Sequence, residues 1–249
     1  MDLYKHDLYI ANVPFLFNRE IIEYDMKDAG FSLTKEYELL PIKMIHQLEK
    51  MKKDYRKIQI GKIQRKDSTY RNQLKEAFVH ARQMFFEANN LTNQDVLSIK
   101  KDAIFTTRRC KIKKIGKYIH FRPKNVYTSY IQLPKRLEIY YNRDNLSVKG
   151  LNDKVLELHK DYMLHFISEF CRRMEESSNE NVLIFMRNFI TDYKFRKLPV
   201  GYYRTFDHNS YFVIQDSDIV FESIDDEDKE LLDIHYNYEI LTKFIQIPI

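Results

Sequence analysis

The stretch from Asp95 to Thr106 constrains the fold more than any other part of the sequence. A mostly apolar run, 96–99, leads into the polar break Lys100-Lys101-Asp102, and a second apolar run, 103–105, leads out of it. Two such runs around a short polar break predict a β-hairpin with Asp102 at its tip. A carboxylate on a rigid hairpin suits a metal site, although Asp is also an ordinary turn residue.

A second carboxylate stands at the end of another predicted strand. Ile21, Ile22 and Tyr24 predict a strand that ends at Asp25, and a close turn and a helix follow it. If the two strands are neighbours in one antiparallel sheet, Asp25 and Asp102 converge. Phosphoryl transfer uses two divalent ions held by carboxylates, and two acids suffice for Mg²⁺ when phosphate oxygens complete the coordination. Asp25 and Asp102 are therefore the candidate catalytic residues and the candidate ligands of two Mg²⁺ ions.

A helical, basic segment separates the two acids. Residues 41–90 are predicted to be mostly helical, and Gly61 is expected to break one helix. Apolar residues from Leu74 to Phe85 recur at helical spacing. On the opposite face the spacing places Arg71, Lys75 and Arg82. The basic run from Lys50 to Lys66, which precedes this helix, would meet nucleic acid or a nucleoside triphosphate, or else form a solvated helix face.

Basic and apolar residues alternate beyond the hairpin, from Arg108 to Ile119, and predict basic strands with a turn at Gly116. Such strands fit a surface that tracks a nucleic-acid backbone, or an edge strand that lysines protect from aggregation. In this basic field Asp102 is expected to be ionised. Further strands are predicted over 125–150 and helices over 152–174 and 182–193. A strand pair is expected around residues 207–209, followed by an acidic end.

Composition supports a packed α+β chain. Hydrophobic residues make up 44% and charged residues 31%, and 5 Gly and 6 Pro argue against a turn-dense all-β fold. The two cysteines form no metal motif and fit a reducing compartment. No apolar run is long enough to span a membrane, and the first residues lack the pattern of a signal peptide. We therefore expect a cytoplasmic protein with no membrane partner.

In their order along the chain, these features resemble the palm and thumb of a template-dependent DNA polymerase, closest to family B. The stretch Tyr24–Leu33 resembles motif A, Lys62–Tyr70 resembles a loose motif B, and Asp95–Phe105 resembles motif C. Lys149-Gly150-Leu151 resembles the Lys-Gly step into the thumb. The usual Asp-Thr-Asp-Ser core of motif C reads Lys100-Lys101-Asp102-Ala103 here, so Lys100 replaces its first acid.

The resemblance implies an antiparallel palm sheet with a short helical fingers insertion and a helical thumb. Residues 1–40 would form the N-terminal part of the palm and 41–90 the fingers-like insertion. Residues 91–150 would form the palm hairpin and the following strands, and 151–249 a thumb-like helical region with the acidic end. The compact chain also suggests a viral or plasmid origin.

The same resemblance implies nucleotidyl transfer on a DNA primer-template with dNTPs. The incoming nucleotide would be bound by Lys62, Arg65 and Lys66. The nucleic acid would be bound by Arg108, Arg109, Lys111, Lys113 and Lys149. The chain would be one piece of a split polymerase that other subunits complete, a minimal polymerase, or a degenerate descendant that only binds.

Three hypotheses follow from the sequence. The chain is a nucleotidyltransferase, or a non-catalytic nucleic-acid-binding or structural subunit of a replication or transcription complex, or an unrelated α+β domain. The third hypothesis treats both acids as turn residues and expects Asp25 and Asp102 to lie far apart.

Overall fold

Two compact units, each with its own sheet, make up the chain. The computed structural model describes residues 2–133, 136–150, 165–195, 197–198, 210–215 and 218–223. The first unit comprises Met1–Asn12 and Glu20–Val126, and the second comprises Val13–Arg19 and Tyr127–Ile249. The α+β class with antiparallel sheets is confirmed. The boundary between the two units, at residues 126–127, falls inside residues 91–150, which the resemblance predicts to be one part of a palm.

In the first unit four consecutive helices lie between the early strands and the later ones, and strands dominate the start of the second unit. After a 3₁₀ helix, Leu3–Lys5, the strands are β1 Leu8–Ile10, β2 Phe15–Leu16, β3 Ile21–Met26, β4 Val96–Lys100, β5 Ala103–Thr106, β6 Phe121–Tyr127, β7 Ser129–Leu133, β8 Leu137–Asn142, β9 Asn145–Lys149, β10 Ser210–Gln215 and β11 Asp218–Ser223. The described helices are α1 Ala29–Glu36, α2 Ile42–Glu49, α3 Lys53–Lys66, α4 Ser68–Asn89, α5 His165–Glu176 and α6 Asn179–Lys194.

The first unit is built on a five-stranded sheet with the order β1-β4-β5-β3-β6. The predicted hairpin is confirmed as β4 and β5, which pair Lys100 with Ala103 across a two-residue turn. Lys101 opens that turn in the left-handed region, at a φ of 56°. Strand β3 pairs with β5 in antiparallel register, so the strand that carries Asp25 is a direct neighbour of the hairpin.

Helices α1 to α4 and the sheet share one apolar cluster. The rings of Tyr24 on β3 and Phe121 on β6 lie 5.5 and 4.3 Å from the ring of Phe85 on α4, between ring centroids. The prediction that Gly61 breaks a helix is wrong, because α3 continues through it. A helix interior tolerates Gly at a cost of about 1 kcal/mol relative to Ala.

Helix α4 buries one residue that the sequence assigned to its polar face. Arg71 and Lys75 are exposed as expected, but the side chain of Arg82 is 0% exposed. Its guanidinium donates to the Tyr4 carbonyl at 2.7 Å, to the Lys101 carbonyl at 2.8 Å and to the Asp7 carboxylate at 2.9 Å. The helical spacing correctly places Arg82 on the same face of α4 as Arg71. Near the C-terminal end of α4, however, the N-terminal segment of the chain covers this face.

The segment between β5 and β6 is irregular, and the basic strands predicted from Arg108 to Ile119 are not formed. Its turn at Gly116 is confirmed, because the Ile115 amide donates to the Ile119 carbonyl at 3.1 Å. The Glu36 carboxylate accepts the backbone N–H groups of Lys117 at 3.0 Å and Tyr118 at 2.6 Å. These amides thus bond to a side chain of α1 and not to a neighbouring strand.

The second unit contains a four-stranded antiparallel sheet, β2-β7-β8-β9, and its apolar residues form one cluster with those of α5 and α6. The strands predicted over 125–150 and the helix predicted over 182–193 are confirmed. The helix predicted over 152–174 is confirmed only from His165, because residues 151–164 lie outside the described part. A strand pair occurs as β10 and β11, with Gln215 opposite Asp218 in the register, and it lies further along the chain than the pair predicted around residues 207–209. Residues 207–209 and 224–249 also lie outside the described part.

No helix within these described ranges combines the length and the apolar character that crossing a membrane requires.

The turn at Gly116 gives a first test of the fold. A Cβ at this position would lie 2.7 Å from a Glu36 carboxylate oxygen, so Gly116→Ala should displace the carboxylate from the two amides that it accepts. We expect the free energy of unfolding in urea to fall by about 1–3 kcal/mol. Gly61→Ala is the matched control: nothing lies within 4 Å of its added Cβ, and the free energy should rise by about 0.5–1 kcal/mol. Equal effects of the two substitutions would contradict this account of the turn.

The buried guanidinium gives a second test. Arg82→Met keeps most of the volume but leaves the Tyr4 and Lys101 carbonyls without a donor, so we expect a loss of about 3 kcal/mol in the free energy of unfolding. Arg71→Met, on an exposed position of the same helix, should change it by less than about 0.5 kcal/mol. Urea denaturation followed by circular dichroism measures both. Similar stabilities for the two variants would contradict the structural role of Arg82.

Candidate active site

The pairing of β3 with β5 brings the two predicted catalytic acids together. Asp25 lies opposite Ala103 in the register, next to Asp102, and the Met26 amide donates to the Asp102 carbonyl at 2.9 Å. Both side chains are half-buried and line the same cavity. The wide separation expected of two unrelated turn residues is therefore not found.

Burial raises the pKa of Asp102, and the neighbouring Asp25 carboxylate raises it further. The charges of Lys101 and Lys57 act in the opposite direction but do not outweigh burial. The sequence expectation that the basic surroundings alone would keep Asp102 ionised thus missed the larger effect. Asp25 has a cation of its own, since the Arg122 guanidinium lies 3.6 Å from its carboxylate.

The cavity beside the two acids has a volume of about 460 Å³. The end of β3 and the start of α1 form one wall, α3 and α4 form others, and the hairpin tip closes it. Lys53, Lys57 and Lys101 bring positive charge to its lining. A space of this size, with carboxylates on one side and ammonium groups on another, can accommodate a phosphorylated small molecule and cations.

Asp28 lines the same cavity but has a different partner. Its backbone adopts a left-handed conformation, at a φ of 50°, at the point where the chain turns from β3 into α1. Its carboxylate forms an ion pair with Arg56 of α3. Because this pair fixes the carboxylate, Asp28 serves the turn and the packing of α3 on α1.

The donor set of the two acids fits Mg²⁺. Within the described residues no group of three or more His, Cys, Asp and Glu side chains is arranged to hold a metal, so the candidate ligands are a pair. Mg²⁺ is bound by one or two carboxylates together with water and substrate oxygens. Two adjacent carboxylates, one of them with its pKa raised by burial, are also a place where a cation would relieve electrostatic repulsion.

The residues predicted to bind the nucleotide lie on α3 but not on its cavity side. Lys62, Arg65 and Lys66 are exposed, and none of them lines the cavity. Lys53 and Lys57 line it instead. Sequence reasoning missed these two lysines, although their spacing of four residues, continued to Gly61, marks one helix face.

The residues predicted to bind nucleic acid are divided between the two units. Arg108 and Arg109 already have acidic partners, Asp95 at 3.8 Å and Glu20 respectively. In the irregular segment that follows, Lys111 is exposed and Lys113 is half-buried. Lys149 lies in the second unit, on β9, opposite Glu138.

Comparison with known proteins shows the family of the chain. No curated protein matches the sequence. The sequence matches the family described as Bacteriophage PBS1 gene 130 protein over residues 1–249, and the chain therefore belongs to that family.

Proposed function

We propose that the chain is a nucleotidyltransferase of the DNA-polymerase type, with Asp25 and Asp102 as its catalytic carboxylates. One observation carries the proposal: the antiparallel pairing of β3 and β5 sets an acid at the end of one strand beside an acid at the tip of a hairpin. This is the relation between motifs A and C that the sequence resemblance implies. The substrates would be a DNA primer-template and dNTPs.

The two acids would hold Mg²⁺, as their donor set allows. When bound, the metal supplies a Lewis acid for the attacking oxygen and for the phosphoryl oxygens. The residues of the chain do the rest: Lys53 and Lys57 bring positive charge to the cavity where a triphosphate would lie, and the sheet fixes the acids in place. Roles for Lys62, Arg65 and Lys66 in contacting the nucleotide stay predictions.

A second candidate function is a non-catalytic nucleic-acid-binding subunit of a replication or transcription complex. Lys100 favours it, because this residue stands where the resemblance expects the first acid of motif C. The family takes its name from a bacteriophage protein, which supports a viral setting for either function.

Primer extension tests the catalytic proposal. Asp25→Ala and Asp102→Ala should each lower Mg²⁺-dependent incorporation of dNTPs by at least about 10³-fold, because each removes a group that acts on charge in the transition state. Binding of the primer-template, measured by fluorescence anisotropy, should be largely retained. Glu76→Gln, an exposed change on α4, is the control and should extend as the wild type does.

Incorporation by Asp102→Ala at the wild-type rate would refute the assignment of this acid. A wild-type chain that binds DNA in a salt-sensitive manner but never extends a primer would support the binding subunit instead.

The raised pKa of Asp102 gives a further test, with stability as the readout. A carboxyl group whose pKa is raised by folding contributes stability below its unfolded pKa, and that contribution is lost as the pH rises through the folded pKa. At pH 7, above the unfolded pKa, Asp102 therefore destabilises the fold relative to a side chain that stays neutral, and Asp102→Asn should raise Tm. The gain should disappear at pH values below the unfolded pKa, near 4. Thermal melts at both pH values measure this, and a lower Tm for Asp102→Asn at pH 7 would contradict it.

Addition of MgCl₂ to the same melts tests the metal fit independently of activity. Binding to the folded state raises Tm. We expect MgCl₂ to raise Tm of the wild type more than Tm of Asp102→Asn, and an equal shift would argue against metal binding by this acid.

A further inference from the structure

A second cavity in the first unit, of about 520 Å³, shares Asp28 and Phe31 with the carboxylate cavity. We call it the basic groove and define it by the basic side chains that line it: Lys27, Lys35, Arg56, Lys114, Lys117 and His120. They come from the end of β3, from α1, from α3 and from the irregular segment before β6. No sequence motif predicted this cluster of basic residues, because its members lie far apart in the sequence and only the fold brings them together.

The acids of the basic groove are already neutralised. Asp28 pairs with Arg56, and Glu49 pairs with Lys35. Within the described residues Lys27, Lys114 and Lys117 are exposed and have no acidic side chain as a partner. The groove thus presents three exposed lysines that form no ion pair with a described acid of the unit.

Tyr118 and the turn before it fix the positions of two lysines of the groove. The Lys35 ammonium lies 4.1 Å from the centroid of the Tyr118 ring, and the Lys117 ammonium lies 5.1 Å from it. Attraction between cations and the aromatic ring holds each ammonium group beside Tyr118. The Glu36 carboxylate accepts the amides of Lys117 and Tyr118, which holds the turn itself.

We propose that the basic groove binds the phosphodiester backbone of a single-stranded nucleic acid. Exposed cations from separate segments, spread along an open groove with an aromatic side chain, fit the successive phosphates of a strand better than one compact phosphate group. Since the groove shares residues with the carboxylate cavity, a strand in it would reach the two acids. The binding does not need those acids to be catalytic, but a role for the strand as primer or template rests on the proposed function.

The test uses the full chain and a fluorescein-labelled oligonucleotide of 20 thymidines, without Mg²⁺ or dNTPs, in fluorescence anisotropy at several NaCl concentrations. The double substitution Lys114→Ala/Lys117→Ala should weaken binding roughly tenfold or more at low salt. The slope of log K against log salt is negative, and it should become less steep by about 1.4, since each contact of a cation with a single-strand phosphate contributes about 0.7. Lys114→Arg/Lys117→Arg should bind as the wild type does.

A matched control removes the same charge elsewhere. Lys43→Ala/Lys75→Ala alters two exposed lysines of the same unit that line neither cavity, and it should leave both affinity and slope nearly unchanged. Equal losses in the two double variants would overturn the proposal, because net charge alone would then explain binding. Wild-type binding by Lys114→Ala/Lys117→Ala, with a melt that shows it folded, would overturn it as well.

Two further arms identify the ligand. Competition by low millimolar inorganic phosphate or ATP would indicate a compact phosphate ligand and would overturn binding of a strand. A 20-base-pair duplex that binds more tightly than the single strand and loses the same affinity in the variant would overturn the single-strand assignment. Asp25→Ala/Asp102→Ala should bind the oligonucleotide normally, so failure of the catalytic proposal and failure of this one give different results.

Discussion

A buried guanidinium fixes the geometry on which the rest of the first unit depends. Arg82 gives three hydrogen bonds, to the 3₁₀ helix at Tyr4, to Asp7 and to the carbonyl of Lys101. A charge that is fully removed from water is tolerated only when its donors are satisfied, so these three acceptors must stay where they are. The Lys101 amide adds a bond to the Asp7 carbonyl at 2.7 Å. The hairpin tip that carries Asp102 is thereby tied to α4 and to the N-terminal segment.

The same tip carries an unfavourable interaction that the fold does not need. Asp102 is half-buried beside a second carboxylate, and burial raises its pKa. Several cations lie near the pair: Arg122 by Asp25, and Lys57 and Lys101 by Asp102. They moderate the repulsion without removing it. Local costs of this kind are expected where a site binds charge, because selection for stability alone would replace one of the acids.

Much of the first unit could be predicted from local patterns. Two apolar runs around a polar break located the hairpin, the strand that ends at Asp25 followed from its apolar residues, and helical spacing located α4. These patterns depend on neighbours in sequence. The burial of Arg82 depends on a segment 75 to 78 residues away in the chain, and helical phase carries no information about that contact.

Two other features of the first unit depend on contacts of the same kind. The alternation from Arg108 to Ile119 is typical of a strand, but side chains from other elements accept its amides: Tyr24 accepts from Cys110, Asn89 from Ile112, and Glu36 from Lys117 and Tyr118. The choice of Lys62, Arg65 and Lys66 followed a motif resemblance, whereas the helix face that lines the cavity is occupied by Lys53 and Lys57. The site is therefore predictable where it rests on strand ends, and not where it rests on the packing of α3.

The path of the chain through its two units has a consequence for synthesis on the ribosome. Strand β2 belongs to the second unit, although it lies between segments of the first. Its partner is β7, so Phe15 cannot pair until Ile131 has been synthesised. The first sheet likewise needs β6. At translation rates of about 5–20 residues per second, early strands remain unpaired for several seconds. Neither sheet can form when its N-terminal strand leaves the ribosome. Cleavage after residue 126 would leave β2 on the fragment that carries the first unit, without its partner β7.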